Sequence, residues 1–394
     1  MTYPFGSNDS MAIYFDNAAT TFPKPEAVIR AVEEALRFCG ANPGRGGHRM
    51  ALDAVRLVFE TREALAGFFA IDDASRIAFT ANATEAINLA LFGLLRPGDR
   101  VVTSTMEHNA VTRPLRALQE RGVTVVKVAA DPQGFVDPAA IRQACLAEKT
   151  RLVVLSHCSN VTGTVQPIEE IGPWCRRQGI RFMVDAAQSA GLIAINVEGM
   201  AIDLLAVPGH KGLLGPQGTG FLYVRKGLSL TPLIYGGTGG NSHSELQPEE
   251  MPERLESGTL NLPGLAGLKA GVEFLAAEGL AAVRAHEGEL LERLIAGLRE
   301  IPDISLYGPT DPRYHGGALS FNLAGRDPAE VGFLLDRDYA IFSRVGLHCA
   351  PDAHRSIGTF PRGTVRVSPG YFSTSEEIDQ LLLALSAISS HPPD

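Results

Sequence analysis

The 394-residue chain has no stretch near the roughly 18 consecutive apolar residues that a membrane-spanning helix needs. Its first residues, MTYPFGSNDSMAIYF, contain neither a basic n-region nor an unbroken apolar segment, so no signal peptide is expected. Positive charge is also scarce. The 35 Lys and Arg are outnumbered by 44 Asp and Glu, for a formal charge of −9. Phosphate-backbone binding needs concentrated basic surface, so a nucleic-acid partner is not expected. Cysteine pairs are missing too. Cys39, Cys145, Cys158, Cys175 and Cys349 are far apart, odd in number and free of any C-x-x-C spacing, which argues against a structural zinc site and a disulfide framework. A cytoplasmic protein with reduced thiols and no membrane or metal partner is the expectation.

What is present is an alternation of short β-rich runs with amphipathic stretches. Candidate strands are 77–80, 100–104, 123–128, 151–155, 181–185, 202–207 and 219–224, separated mostly by helix-like segments at 84–95, 109–121, 138–148 and 167–178. This rhythm predicts an α/β fold: a mostly parallel seven-stranded sheet with helices on both faces. Only 208–218 joins the last two runs, too short for a crossover helix, so that pair is expected to be antiparallel. Beyond 258 the pattern changes to helices at 264–278 and 281–300, apolar runs at 304–307, 317–322 and 340–343, and helices at 328–337 and 375–388. A chain of this length exceeds one core of about 250–300 residues. The expected division is a large domain, 26–261, and a smaller α+β domain formed by 1–25 with 262–394.

Ligands of parallel sheets gather beyond the carboxyl ends of the strands. There the sequence places Thr80 to Thr84, Glu107, His108, Asn109, Asn160, Asp185, Gln188, His210 and Lys211. Lys211 lies in the uncharged, glycine-punctuated run AVPGHKGLLGPQGTG. An ammonium taken out of water loses solvation, its pKa falls, and the neutral amine can condense with an aldehyde such as that of pyridoxal 5′-phosphate (PLP). An exposed loop lysine is the plainer reading. Asp185 follows an apolar strand, where a carboxylate is costly without a cationic partner such as a pyridinium, although Asp also caps helices there. Gln188 suits either a ring oxygen or a capping box. Ala83 and Thr84 stand at a helix start, whose free N–H groups attract phosphate or are simply capped. His108 suits stacking on a flat ring or a structural loop.

Eight segments in order carry a family resemblance: YFDNAATTFPKP, TANATEAINLA, MEHNAVTRP, SNVTGTVQPI, VDAAQSAG, PGHKGLLGPQGTGFLYV, ESGTLNLPG and RVGLHCAPD. Together they resemble the cysteine desulfurases of the class V aminotransferase family, fold-type I PLP-dependent transferases, over nearly the whole chain. The resemblance implies PLP joined to Lys211, with Asp185 on the pyridine nitrogen and Gln188 on the phenolic oxygen. It implies His108 on the ring face and in proton transfer, and Asn160 beside cofactor and substrate. Ala83, Thr84 and His210 would bind the phosphate, and Thr259 would reach the phosphate of a neighbouring subunit in a homodimer. Pro208 replaces the Ser or Thr that many relatives carry there, removing one phosphate hydrogen bond.

RVGLHCA is similar to the R-x-G-H-H-C-A loop of the family's second group, with Leu347 for its first histidine. Cys349 would be the residue that takes up sulfur as a persulfide, with Arg344 and His348 as neighbouring cations that favour a thiolate; an inert packed cysteine is the alternative. Arg366, in TVRVSPGYF, would clamp the substrate carboxylate, since a guanidinium can give two parallel hydrogen bonds; a surface charge on a strand is the alternative. Asn17 and His48 would contact substrate or the dimer interface. The implied reaction converts L-cysteine to L-alanine and passes sulfur to an acceptor protein. Rivals are selenocysteine lyase, another class V aminotransferase or lyase indifferent to Cys349, and a non-catalytic PLP-fold binding protein.

Overall fold

The structure, a computed structural model, describes residues 12–44, 47–239 and 243–390. Residues 1–11 of the expected small-domain segment, and Arg45 and Gly46 beside His48, lie outside the described residues. The strands are β1 (Ile13–Tyr14), β2 (Ile77–Thr80), β3 (Arg100–Ser104), β4 (Thr124–Val128), β5 (Leu152–Ser156), β6 (Arg181–Asp185), β7 (Leu204–Pro208), β8 (Gly220–Val224), β9 (Ile304–Tyr307), β10 (Leu319–Leu323), β11 (Ile341–Phe342), β12 (Arg344–Gly346) and β13 (Thr364–Val367).

Seven of them form one sheet in the order β2-β8-β7-β6-β5-β3-β4. Only β8 runs against its neighbours, pairing antiparallel with β2 and β7. The short 208–218 connection therefore does what its length predicts. Side chains alternate across the sheet. Leu152, Val154, Met183, Leu204 and Ala206 pack on one face, and Val153, Leu155, Phe182, Val184, Leu205 and Val207 on the other. Both faces are covered, which is why these strands read as continuous apolar runs. The edge strand β4 is the partly exposed one.

Two helices, Glu26–Phe38 and Arg49–Phe69, fill the N-terminal region where the sequence rhythm gave no element. Helix Leu262–Glu278 sends Leu265, Leu268, Val272 and Leu275 into the large-sheet core. Packing of that core thus continues past the division expected at 261. A second core gathers on helix Leu280–Glu300 and the antiparallel sheet β12-β13-β10-β9, with Leu294, Phe321, Val367 and Leu381 buried together. Ile13 and Phe15 join this second core, and β1 pairs in parallel with β11. The N-terminal segment is thereby laid between the second core and the carboxyl ends of the large sheet.

Candidate active site

The parallel strands of the large sheet all point their carboxyl ends the same way, so the residues that follow them converge. Asp185 ends β6 in register with Ser156, which ends β5. His108 follows β3, and the β7–β8 connection carries His210 and Lys211. Ala83, Thr84, His108, Asn160, Asp185, Gln188, His210 and Lys211 line one pocket. A second lobe shares Cys158, Gln188 and Lys211 and reaches Asn17, Glu287 and Ser368.

Burial pushes the half-buried Lys211 ammonium down to about 8; Asp185 opposes this, while Arg366 and Arg344 add to it. Burial raises the Asp185 carboxyl, and the Ala187 N–H at 2.9 Å together with the Lys211 charge pull it back. An amine that reaches neutrality and a carboxyl opposite it are thus held in one cleft. His108 Nδ1 accepts the Ala110 N–H at 3.0 Å, capping helix Asn109–Gln119 and leaving the ring proton on Nε2. Burial, followed by Lys211 and three arginines, drives this imidazole down to about 4. It presents a flat, neutral ring. His210 is held near 4 by burial, Lys211 and Lys24, and its Nδ1 is buried with no partner.

Asn82 caps helix Ala83–Leu94 by accepting the Glu85 N–H, so the Thr84 hydroxyl is not used as the cap. Gly220 lets β8 lie against this helix start, because a Cβ there would come 3.0 Å from the Asn82 Cα. Gln188 donates to the Ala18 carbonyl at 3.0 Å instead of closing a capping box. Asn17 is buried, donating to Ser368 O at 3.0 Å and accepting the Phe22 N–H at 3.1 Å.

Cys349 is exposed, and both it and His348 hold left-handed backbone, at φ 58° and 46°. Two successive non-glycine residues there are uncommon and need outside support. Asn109 N–H donates to Cys349 O at 2.7 Å, and Asn160 Nδ2 donates to His348 O at 2.6 Å. Arg344 Nη2 lies 4.0 Å from the Cys349 sulfur.

A family model, Aminotransferase class-V, matches residues 13–381. The chain is 41% identical to "Probable cysteine desulfurase" of Methanothermobacter thermautotrophicus over 383 residues, 96% of this chain and 94% of that protein. It is 35% identical to "Cysteine desulfurase" of Dickeya dadantii, covering 97% and 93% of the two chains. The solved apo structure of cysteine desulfurase from Thermococcus onnurineus superposes with a TM-score of 0.90 at 34% identity, covering 96% and 94%. The chain belongs to the class V aminotransferase family. Its fold is that of the fold-type I PLP enzymes, and PLP is the family's cofactor.

The residues present fit PLP. Asp185 would face the pyridine nitrogen, Lys211 the aldehyde and His108 the ring, while the Ala83–Thr84 helix start and the unpartnered His210 Nδ1 offer phosphate donors.

Two expected roles look different in place. His348 was expected as a cation beside Cys349; it is buried, faces Thr364 Oγ1 at 3.0 Å and is driven down to about 2 by burial and then Arg366, so it is neutral. Arg344 is left as the nearby charge. Arg366, 1% exposed, is already engaged: Nη2 with Asp16 Oδ1 at 2.6 Å and Nη1 with Asn160 O at 3.0 Å, its buried Nε unpartnered. A substrate carboxylate would have to take over from Asp16. Thr259, expected to reach a neighbouring subunit's phosphate, lies outside its own Lys211 pocket, exposed, with Asn42 Nδ2 at 3.4 Å from its Oγ1. His48, expected at the substrate or the dimer interface, also lies outside that pocket, accepting the Ala51 N–H to cap helix Arg49–Phe69.

The sequence reasoning placed Glu107 at a strand end without giving it a role, and it passed over Asp16. Glu107 is buried, accepts from Ser104 Oγ at 2.6 Å and from Ser156 N and Oγ at 2.9 Å, and is pushed up to about 7 by burial. Its place directly before His108 was the available signal. Asp16 stands beside Asn17 in the first quoted segment, but its partner is 350 residues away.

Proposed function

We propose that this class V enzyme is a cysteine desulfurase that leaves the sulfur of L-cysteine on Cys349 as a persulfide. The observation that carries the reading is the joining of the Lys211 pocket to the Cys349 loop through Asn160, which lines the pocket and holds the His348 carbonyl. When bound, PLP supplies an aldehyde for amines and a ring that withdraws electrons from the substrate Cα. Lys211, lowered toward neutrality, supplies the amine that anchors the cofactor. As a neutral amine beside the substrate, it would take the Cα proton and later return a proton to the product carbon. Asp185 keeps the proton on the pyridine nitrogen. His108, neutral with its proton on Nε2, packs the ring and excludes water. The Cys349 thiolate attacks the substrate sulfur: an S–S bond forms, the Cβ–S bond breaks, and its electron pair goes to carbon, which ends as the methyl of alanine.

We also infer a homodimer. Leu36, Phe38 and Phe59 are 66%, 74% and 59% exposed on helices Glu26–Phe38 and Arg49–Phe69. Both helices pack on helix Leu262–Glu278, and large apolar side chains left exposed on them are the kind of surface a partner chain would cover. Thr259, turned away from its own Lys211 pocket, is available to a partner's phosphate. An acceptor protein would take the sulfane sulfur from the exposed Cys349. No helix among the described residues is long and apolar enough to cross a membrane. All five cysteines are free, in keeping with a reducing cytoplasm.

The test is alanine and sulfide release from L-cysteine with a thiol reductant, for the native chain and Cys349→Ala. Loss of sulfide release in the variant is expected; sulfide release at the native rate would remove the persulfide route.

A further inference from the structure

The chain step His157–Cys158 is a wall with a cavity on each side. Cys158 faces the two lobes around Lys211. His157 faces a separate cavity of about 730 Å³ that contains none of the catalytic side chains. A volume of this size falls within the range of small-molecule sites, about 300–1,000 Å³.

Its inner end is polar and unsatisfied. His157 is 1% exposed, its Nδ1 is buried without a hydrogen-bond partner, and burial followed by Arg284 pushes it down to about 4. The ring is therefore neutral, with one N–H to give. Arg284, half-buried on helix Leu280–Glu300, donates through Nη2 to the Pro312 carbonyl at 2.7 Å. Among the described residues no carboxylate lies within salt-bridge distance of it. Glu287, one turn further along the same helix, is the carboxylate nearest in effect, but it lines the Lys211 side. Burial, opposed by Arg284, raises it to about 8, so at neutral pH it is mostly protonated and gives Arg284 little counter-charge. A desolvated guanidinium without a counter-ion costs free energy that a bound anion would relieve.

The cavity's outer part selects which anion. Phe135 and Tyr314 meet edge to face, ring centres 5.9 Å apart, and form an apolar wall. The rim is acidic. Asp131 is used by the Gln133 and Phe135 N–H groups, Glu170 pairs with Arg142, and Glu169 is exposed. Such a rim repels phosphates and polyanions but admits a single charge that reaches the inner end.

We propose that this cavity binds a small monocarboxylate with a planar or apolar body, its carboxylate on Arg284 beside His157 and its body against Phe135 and Tyr314. The probe is 3-phenylpropionate, titrated into the PLP-loaded protein by calorimetry and saturation-transfer NMR, with neutral 3-phenylpropionamide in parallel. Binding of the acid, with the amide and Arg284→Gln each about tenfold weaker or more, is expected from loss of a charge-assisted hydrogen bond. Tyr314→Ala, on the exposed rim, should also weaken the acid without unfolding the chain. No binding of the acid up to about 5 mM, equal binding of acid and amide, or affinity unchanged in either variant would overturn the proposal. So would loss of binding in Arg344→Gln alone, which would put the probe in the Lys211 pocket.

Discussion

Asn160 holds two distant parts of the chain at once: its side-chain amide donates to the His348 carbonyl at 2.6 Å, while its own carbonyl accepts from Arg366 at 3.0 Å. The positive-φ step at His348 and Cys349 is supported from the pocket wall by this residue. Asn160→Ala removes the donor and leaves a buried carbonyl unpaired, a loss of about 1–3 kcal/mol in local order. Turnover of L-cysteine should fall about tenfold or more while the cofactor's visible absorbance persists. Steady-state rates and spectra of the same preparation check this, and a normal rate would show that the loop holds itself.

Lys211 gives a pH dependence with a definite sign. Its folded ammonium lies near 8 against an ordinary 10.5. Between those values the unfolded chain binds more protons, so this group's contribution to stability rises with pH across the window. Capture of PLP by the apoprotein should accelerate as pH rises through about 8 and then level off. Stopped-flow absorbance against pH measures it; a profile still climbing toward pH 10 would contradict the lowered amine.

The bidentate pair Arg62–Glu256 is buried at the β2 edge of the large sheet, with N–O distances of 2.7 and 2.6 Å; Arg62 also donates to the Ile77 carbonyl and Glu256 accepts the Phe79 N–H. Arg62→Ala leaves a desolvated carboxylate without its cation. The expected cost is about 3–5 kcal/mol, read from urea unfolding. A shift below about 1 kcal/mol would mean that water reaches Glu256.

Gly191 holds φ 86°, and a Cβ there would run into the Gly212 carbonyl, next to Lys211. Gly191→Ala should therefore displace the lysine as well as strain the backbone. PLP affinity is expected to drop more than unfolding stability, a comparison available from cofactor titration and thermal melts on one variant.

Much of this arrangement was readable from local pattern. Six of the seven sheet strands announce themselves because both faces are buried, and a parallel sheet turns strand ends into a list of candidate ligands, among them His108, Asp185 and Lys211. Pairings across the chain were not readable. Nothing near Arg366 in sequence shows that Asp16 occupies it, and adjacency misleads at His348, whose ring turns inward while Cys349 turns out. Helix Leu262–Glu278 is apolar over most of its surface, so no single stripe told which core it serves. Helices Glu26–Phe38 and Arg49–Phe69 are amphipathic and were legible as such; they lie before the strand rhythm that begins near 77, so that rhythm gave them no place.

The central claim is that Lys211 is the amine that holds the cofactor. Borohydride reduction of the loaded enzyme, followed by proteolysis and mass spectrometry, tests it directly. The account predicts a reduced pyridoxyl adduct on the peptide containing Lys211 and none in Lys211→Ala; an adduct on Lys24 or another lysine, or one that survives Lys211→Ala, would contradict it.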